Sequence, residues 1–304
     1  MTRTLQALPV ADAICSPGRQ VIFPERGDHE LLWGSDLKEA LLSQCTRVNF
    51  GVAPPHQDIM PVGDETLRGA HLAERLAEHI GPQRLPFDKM WFEGTWPGRI
   101  GDWVPRAQEV AVYTSTSMRD RTTGRSTLIT GEFALTLFFL MTDGSIARFP
   151  VAVLMRADAE GIPQRIRYAS YSDAGSTNEQ DRAAMGMVLP TLWAIGLMNC
   201  RNVKTQEIHR PSIKTKKMRR ARNTGALSYH TIVLPRQRGE GGGGHIPTGR
   251  TRLHMVRGHF ATYTRDAPLF GKHTGTFWKP WHLAGSPDAG VVESDYKLDA
   301  SRRG

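Results

Sequence analysis

Cysteine is scarce. The chain has three in 304 residues, Cys15, Cys45 and Cys200, far apart and with no CxxC spacing. That argues against a disulfide scaffold and a thiolate zinc site, and it predicts reduced thiols in a cytoplasmic protein. Long apolar runs are missing too: none approaches the ~20 residues that span a bilayer. The opening MTRTLQALPVADAICSPGRQ has no hydrophobic signal core, so export by that route is not expected. No P-loop, GxGxxG, nucleophile elbow or HExxH occurs, which leaves nucleotide hydrolysis, dinucleotide chemistry and zinc proteolysis without support. No internal repeat is present, and no cofactor is expected.

What is abundant is positive charge in one place. Residues 201–260 hold fourteen Lys/Arg and two Glu, a local +12 against +9 for the whole chain, so the other 244 residues carry −3. A single basic stretch is the footprint expected for a polyanionic partner, RNA or DNA, with an acidic protein as the other partner that fits. At its centre lies KTKKMRRARNTG, a segment of low hydrophobicity in which Lys214, Lys216, Lys217, Arg219, Arg220 and Arg222 would contact phosphates. A GEGGGG tract follows at 239–244 and reads as a linker or mobile loop.

Periodicity predicts an α+β fold: a helix-flanked antiparallel sheet, then a small basic C-terminal domain that is α+β or mostly β. Residues 1–27 read as irregular or a short edge strand, 28–44 as helical, and 50–63 as a proline-rich loop. Asp64 is placed as the cap of an amphipathic helix that Gly81-Pro82 stops. Strands are expected over 109–118, 131–141, 145–155 and 162–170, with Asp143-Gly144 as a hairpin turn. Ser176 to Glu179 supplies caps for a helix to about Asn199, its second half buried and Pro190 kinking it. Trp91, Trp96 and Trp103 are expected mainly as core. The boundaries that follow are an N-terminal scaffold over 1–202, a basic arm, strand and linker over 203–250, a hairpin over 251–290 packed with strand 226–235, and a frayed tail over 291–304.

Residues 251–285 gather four of the eleven histidines with several cations and aromatics. Thr251 to Thr264 reads as one strand. Alternation then puts Arg257, His259 and Tyr263 on one side and His254, Val256, Phe260 and Thr262 on the other. Gly275 to Trp278 is expected to pair back on it, bringing Lys272 or His273 near that face. Two chemistries fit. In the first, Tyr229, Phe260, Tyr263 and Trp278 stack bases beside the phosphate contacts. In the second, a metal-independent ribonuclease uses His259 as base, His273 or His282 as acid, Arg257 and Lys272 to hold phosphate, and Tyr263 to orient or donate. A structural histidine in a strand, a solvated basic loop and a non-enzymatic phage structural or interaction protein are the plainer alternatives. No metal set is expected: His254 and His259 are five apart, hence on opposite faces, with no cysteine near.

The motifs Leu253-His254-Met255-Val256-Arg257-Gly258-His259-Phe260, Tyr263-Thr264, Leu269-Phe270-Gly271-Lys272, Gly275-Thr276-Phe277-Trp278, His282 and Gly285 resemble the C-terminal portion of a family of uncharacterised bacteriophage, prophage and actinobacterial proteins. Leu85-Pro86-Phe87 and Trp91-Phe92-Glu93 add to it. The resemblance covers about a third of the chain and implies a mobile-element setting, with no activity and no catalytic residue attached.

Overall fold

The computed structural model describes residues 8–15, 29–30, 41, 45–52, 69–95, 104–120, 126, 128–171, 175–208, 229–235, 252–256, 258–280, 282–284 and 286–291. In chain order these form α1 (Pro9–Cys15), β1 (His29–Glu30), β2 (Thr46–Val52), α2 (Gly69–Ile80), β3 (Lys89–Thr95), β4 (Ala107–Ser115), β5 (Arg119–Asp120), β6 (Glu132–Met141), β7 (Ile146–Arg148), β8 (Val151–Ala157) and β9 (Pro163–Ser170). There follow α3 (Asn178–Met198), β10 (Lys204–Ile208), β11 (Tyr229–Val233), β12 (Arg252–Val256), β13 (His259–Tyr263), β14 (Gly275–Lys279), β15 (His282–Ala284) and β16 (Ser286–Val291).

The fold is α+β, built on a nine-stranded mixed sheet in the order β10-β11-β2-β3-β4-β6-β8-β9, with β7 pairing β6. From β3 to β9 the pairs are antiparallel, which is the expected meander. Asp143-Gly144 turns β6 into β7, with Ser145 N donating to Asp143 Oδ1 at 2.8 Å and Gly144 at φ +83°.

Alternation along the strands feeds two cores. Met90, Phe92, Val110, Val112, Leu135, Leu137 and Phe139 face α2 and α3. Trp91, Ala111, Tyr113 and Phe138 face α1, with Trp91 fully buried and its ring 5.6 Å from that of Phe138. The long helix α3 is buried along most of its length. Thr177 starts it through a capping box, accepting from Gln180 N while its own N donates to Gln180 Oε1. Helix α2 ends at Ile80, where Gly81 takes φ +66°.

Several expectations need correction. Pro9–Cys15 is a helix, not irregular chain. Proline at the first helical position is compatible with that, but the helix is held from far away by Glu93. Residues 50–52, expected in a loop, end β2, a strand lying parallel between β3 and β11. His29–Glu30 pairs with Arg119–Asp120 as strand, not helix. Strand Tyr229–Val233 does not pair with the strands of 251–290: it joins the large sheet between β10 and β2, where Ile232 and Tyr229 each pack against a core of that sheet. The single strand expected over 251–264 is two strands in different sheets. β12 pairs β15 and β16, whereas among the described residues β13 pairs only β14, and Gly258 lies between them under the Trp278 ring, where a Cβ would meet Trp278 at 2.6 Å. Asp64, Trp96, Trp103, Arg257, Lys214 to Arg222 and the 239–244 tract lie outside the described residues, as does the tail from 292. No helix among the described residues is long and apolar enough to cross a membrane.

Candidate nucleic-acid interface

The β13–β14 hairpin is fastened to the end of α3 by its backbone and by one of its faces. Arg201 N donates to Thr276 O at 3.0 Å. Asn202 forms a two-way bond with the Trp278 backbone, Nδ2 donating to its O at 2.7 Å and Oδ1 accepting from its N at 2.9 Å. The inner face carries Phe260, Thr262, Thr276 and Trp278. Phe260 presses on two glycines, one ending α2 and one on α3: a Cβ on Gly81 would come within 2.6 Å of its ring, and one on Gly196 within 3.2 Å. Trp278 meets Trp193 edge-on at 5.9 Å and Phe260 at 5.0 Å. The hydroxyls of Thr262 and Thr276 share a hydrogen bond at 2.9 Å. Phe260 and Trp278, expected as base-stacking residues, are partly buried and pack against the main core. Tyr229 is likewise half-buried, packed against the α1-side core.

The outer face is different in kind. His259 is exposed and stands opposite Lys279 in the register, while Tyr263 stands opposite Gly275. Lys279 Nζ lies 5.3 Å above the Tyr263 ring, and Phe277 meets that ring edge-on at 5.9 Å. Arg201 adds a further cation. Its side chain runs against Gly275, where a Cβ would sit 2.7 Å from Arg201 Nε, so the glycine makes room for the guanidinium arm. Histidine, lysine, arginine, tyrosine and phenylalanine thus share one side of a two-stranded ribbon. Cations over half-buried rings suit a phosphate with a planar group beside it.

Lys272 and His273 are both exposed in the turn, where the backbones of Leu269 and His273 bridge. That turn is at the Tyr263–Gly275 end of the ribbon. His259 is at the other end, four strand residues or about 13 Å from Tyr263 along the backbone. The backbones of His259 and His273, expected as base and acid for RNA cleavage, thus lie toward opposite ends of the ribbon. His282 belongs to β15, which pairs β12 in another sheet. Lys279 and Phe277 were legible but unused: in an antiparallel pair they have the parity that joins His259 and Tyr263. Arg201 carried no such signal, since its place depends on the helix end meeting the hairpin.

A second concavity, a cleft of about 440 Å³, opens at one end of the sheet between Gln83–Leu85, Thr116, Leu128–Phe133 and Ala157–Asp158. Its buried carboxylate is already engaged. Glu132 accepts from Arg167 Nε at 2.8 Å and Nη2 at 2.6 Å, and from Ile129 N at 3.0 Å. Those donors hold Glu132 below the usual carboxylate range although burial pushes the other way. Three of its roughly four acceptor sites are thus taken by structural bonds.

Comparison with protein-family models, with curated proteins and with solved structures found no match to this chain.

Proposed function

We propose that this chain is a nucleic-acid-binding protein that grips the phosphate backbone through the outer face of the β13–β14 hairpin and the basic arm joining β10 to β11. The observation that carries the reading is the segregation of the hairpin's faces: core aromatics inside, and His259, Tyr263, Phe277 and Lys279 with Arg201 outside. The arm adds Lys214, Lys216, Lys217, Arg219, Arg220 and Arg222 between the fixed ends Ile208 and Tyr229. Binding is favoured over RNA cleavage by the separation of His259 from His273 along the ribbon. A cytoplasmic site of action in a bacterial host, and a phage or mobile-element setting, belong to the same proposal. The first is supported by three widely spaced, buried cysteines that form no disulfide and the second by the resemblance of the 253–285 motifs.

Labelled RNA and DNA, titrated by fluorescence anisotropy over a range of salt, test it. Replacing Lys216, Lys217, Arg219 and Arg220 with alanine should lower the log–log salt slope by about three, at roughly 0.7–0.9 per lost phosphate contact. The pair Arg201→Ala and Lys279→Ala should lower it by about 1.5 on the same scale. Slopes unchanged in both variants would overturn the reading in favour of an acidic protein partner.

A further inference from the structure

The hairpin's tip holds a side chain that neither face uses. Phe270 is 86% exposed, the most open of the large apolar residues in the described structure. Its backbone is left-handed, φ +53°, a conformation that non-glycine residues rarely adopt and that bulky side chains disfavour. Gly271 follows at φ +69°, so the strained position is the one carrying the ring. Nor is the tip slack. Leu269 N donates to His273 O at 2.8 Å, Gly271 N to Pro268 O at 3.2 Å, Lys272 N to Leu269 O at 3.1 Å and His273 N to Leu269 O at 3.0 Å. Four backbone bonds in six residues hold the ring out at a fixed place. A bulky aromatic kept exposed at a conformational cost is a feature that function, not packing, accounts for.

Its surroundings select the partner. Arg265, Lys272 and His273 are exposed in the same connection between β13 and β14, with Asp266 as its acidic residue. A protein pocket that took a lone phenylalanine would want a water-excluding ring of neutral contacts about it, which these charges do not provide. A bilayer needs more apolar surface than one ring for stable attachment. Nucleobases stacked between phosphates need a planar apolar face with cations on either side. We infer that Phe270 is a base-stacking wedge: the hairpin tip inserts it against an unpaired base while Arg265 and Lys272 take the flanking phosphates. This rests on the nucleic-acid reading above and adds the single-stranded character of the target.

The test uses the full chain with Phe270→Gly and Phe270→Trp, and labelled 12-mers of single-stranded RNA, single-stranded DNA and duplex DNA. Phe270→Gly removes the ring and relieves the backbone, so it should bind single strands roughly 5- to 150-fold more weakly, the range for one lost base stack. Its salt slope should stay unchanged and its unfolding temperature should be equal or higher. Phe270→Trp should keep the affinity, and duplex binding should be indifferent to both changes. Wild-type binding that Phe270→Gly leaves intact would overturn the wedge but not the function. An equal loss on duplex would overturn the single-strand assignment. Failure of the wild type to bind any 12-mer would overturn both readings. Flotation with phosphatidylserine-containing vesicles completes the set: a loss confined to vesicles would replace the base with a lipid surface.

Discussion

The central sheet and the C-terminal hairpin solve the same packing problem by halves. At the centre of the sheet both faces are closed: the even-numbered residues of β3 and β4 go to α2 and α3, the odd-numbered ones to α1. In the hairpin one face joins that same core and the other stays partly open. Hence Trp91 and Phe138 in the sheet are fully buried, whereas Tyr263 and Phe277 in the hairpin are only half-buried. Position in the fold, more than residue type, decides which aromatics can act.

The largest effect should come from the point where the two regions meet. A Cβ on Gly196 would lie 1.8 Å from Ile80 O and 3.2 Å from the Phe260 ring. The first of these neighbours is backbone and cannot swing away. Gly196→Ala should therefore force α2, α3 and the hairpin apart at once, at a cost of about 3 kcal/mol or more. Urea unfolding measures it, and a loss under 1 kcal/mol would show that the regions are less tightly joined than this geometry states.

This junction also marks how far the sequence could be read. Local signals were sufficient for β6, for the turn at Asp143-Gly144 and for α3 with a cap within 176–179, because alternation and capping act over a few residues; they did not show that the strand expected over 145–155 divides into β7 and β8. They were insufficient for α1, seven residues whose backbone is satisfied by Glu93, more than eighty positions away. Parallel pairing of β2 with β3 and β11 is equally non-local. At the candidate interface, parity joined His259 to Tyr263. It could not show that Phe260's face would be the buried one, since Gly81 and Gly196 receive that ring. The strand break at Gly258 has a related cause: the ring that fills the space over this glycine comes from Trp278, twenty positions further along the chain.

A middle-sized effect tests the closed face of the sheet. Glu93 fixes α1 by accepting from Val10 N at 2.9 Å, Ala11 N at 2.8 Å and Trp91 Nε1 at 2.6 Å. Burial pushes its carboxyl up to about 8, although those three donors favour the ionised form. A group whose folded pKa is raised contributes stability that is fully present below its unfolded value, ordinarily near 4.3, and lost as pH rises through about 8. The unfolding temperature should thus decline from pH 5 to pH 9. Glu93→Gln cannot ionise, and its amide would turn a donor toward one of the three N–H groups. It should be less stable than wild type at pH 5 by roughly 1–3 kcal/mol, the cost of a frustrated buried donor, with the gap narrowing by pH 9. Parallel profiles for the two proteins would remove Glu93 as the titrating group.

The smallest effect is expected on the open face of the hairpin. Lys279→Ala removes a cation 5.3 Å from the Tyr263 ring, and at a partly exposed site such a contact contributes only ~0.5–1 kcal/mol. Some of that returns as side-chain freedom no longer lost on folding. The unfolding midpoint should therefore barely move, because neither Phe260 nor Trp278, the residues that anchor the ribbon, touches the outer side on which Lys279 lies. Its consequence should appear only in binding, as one phosphate contact fewer and a salt slope lower by about 0.7–0.9. A large fall in stability with no change in slope would reverse the assignment: the outer face would then be a packing surface like the inner one, and the contrast between half-covered hairpin and closed sheet would fail.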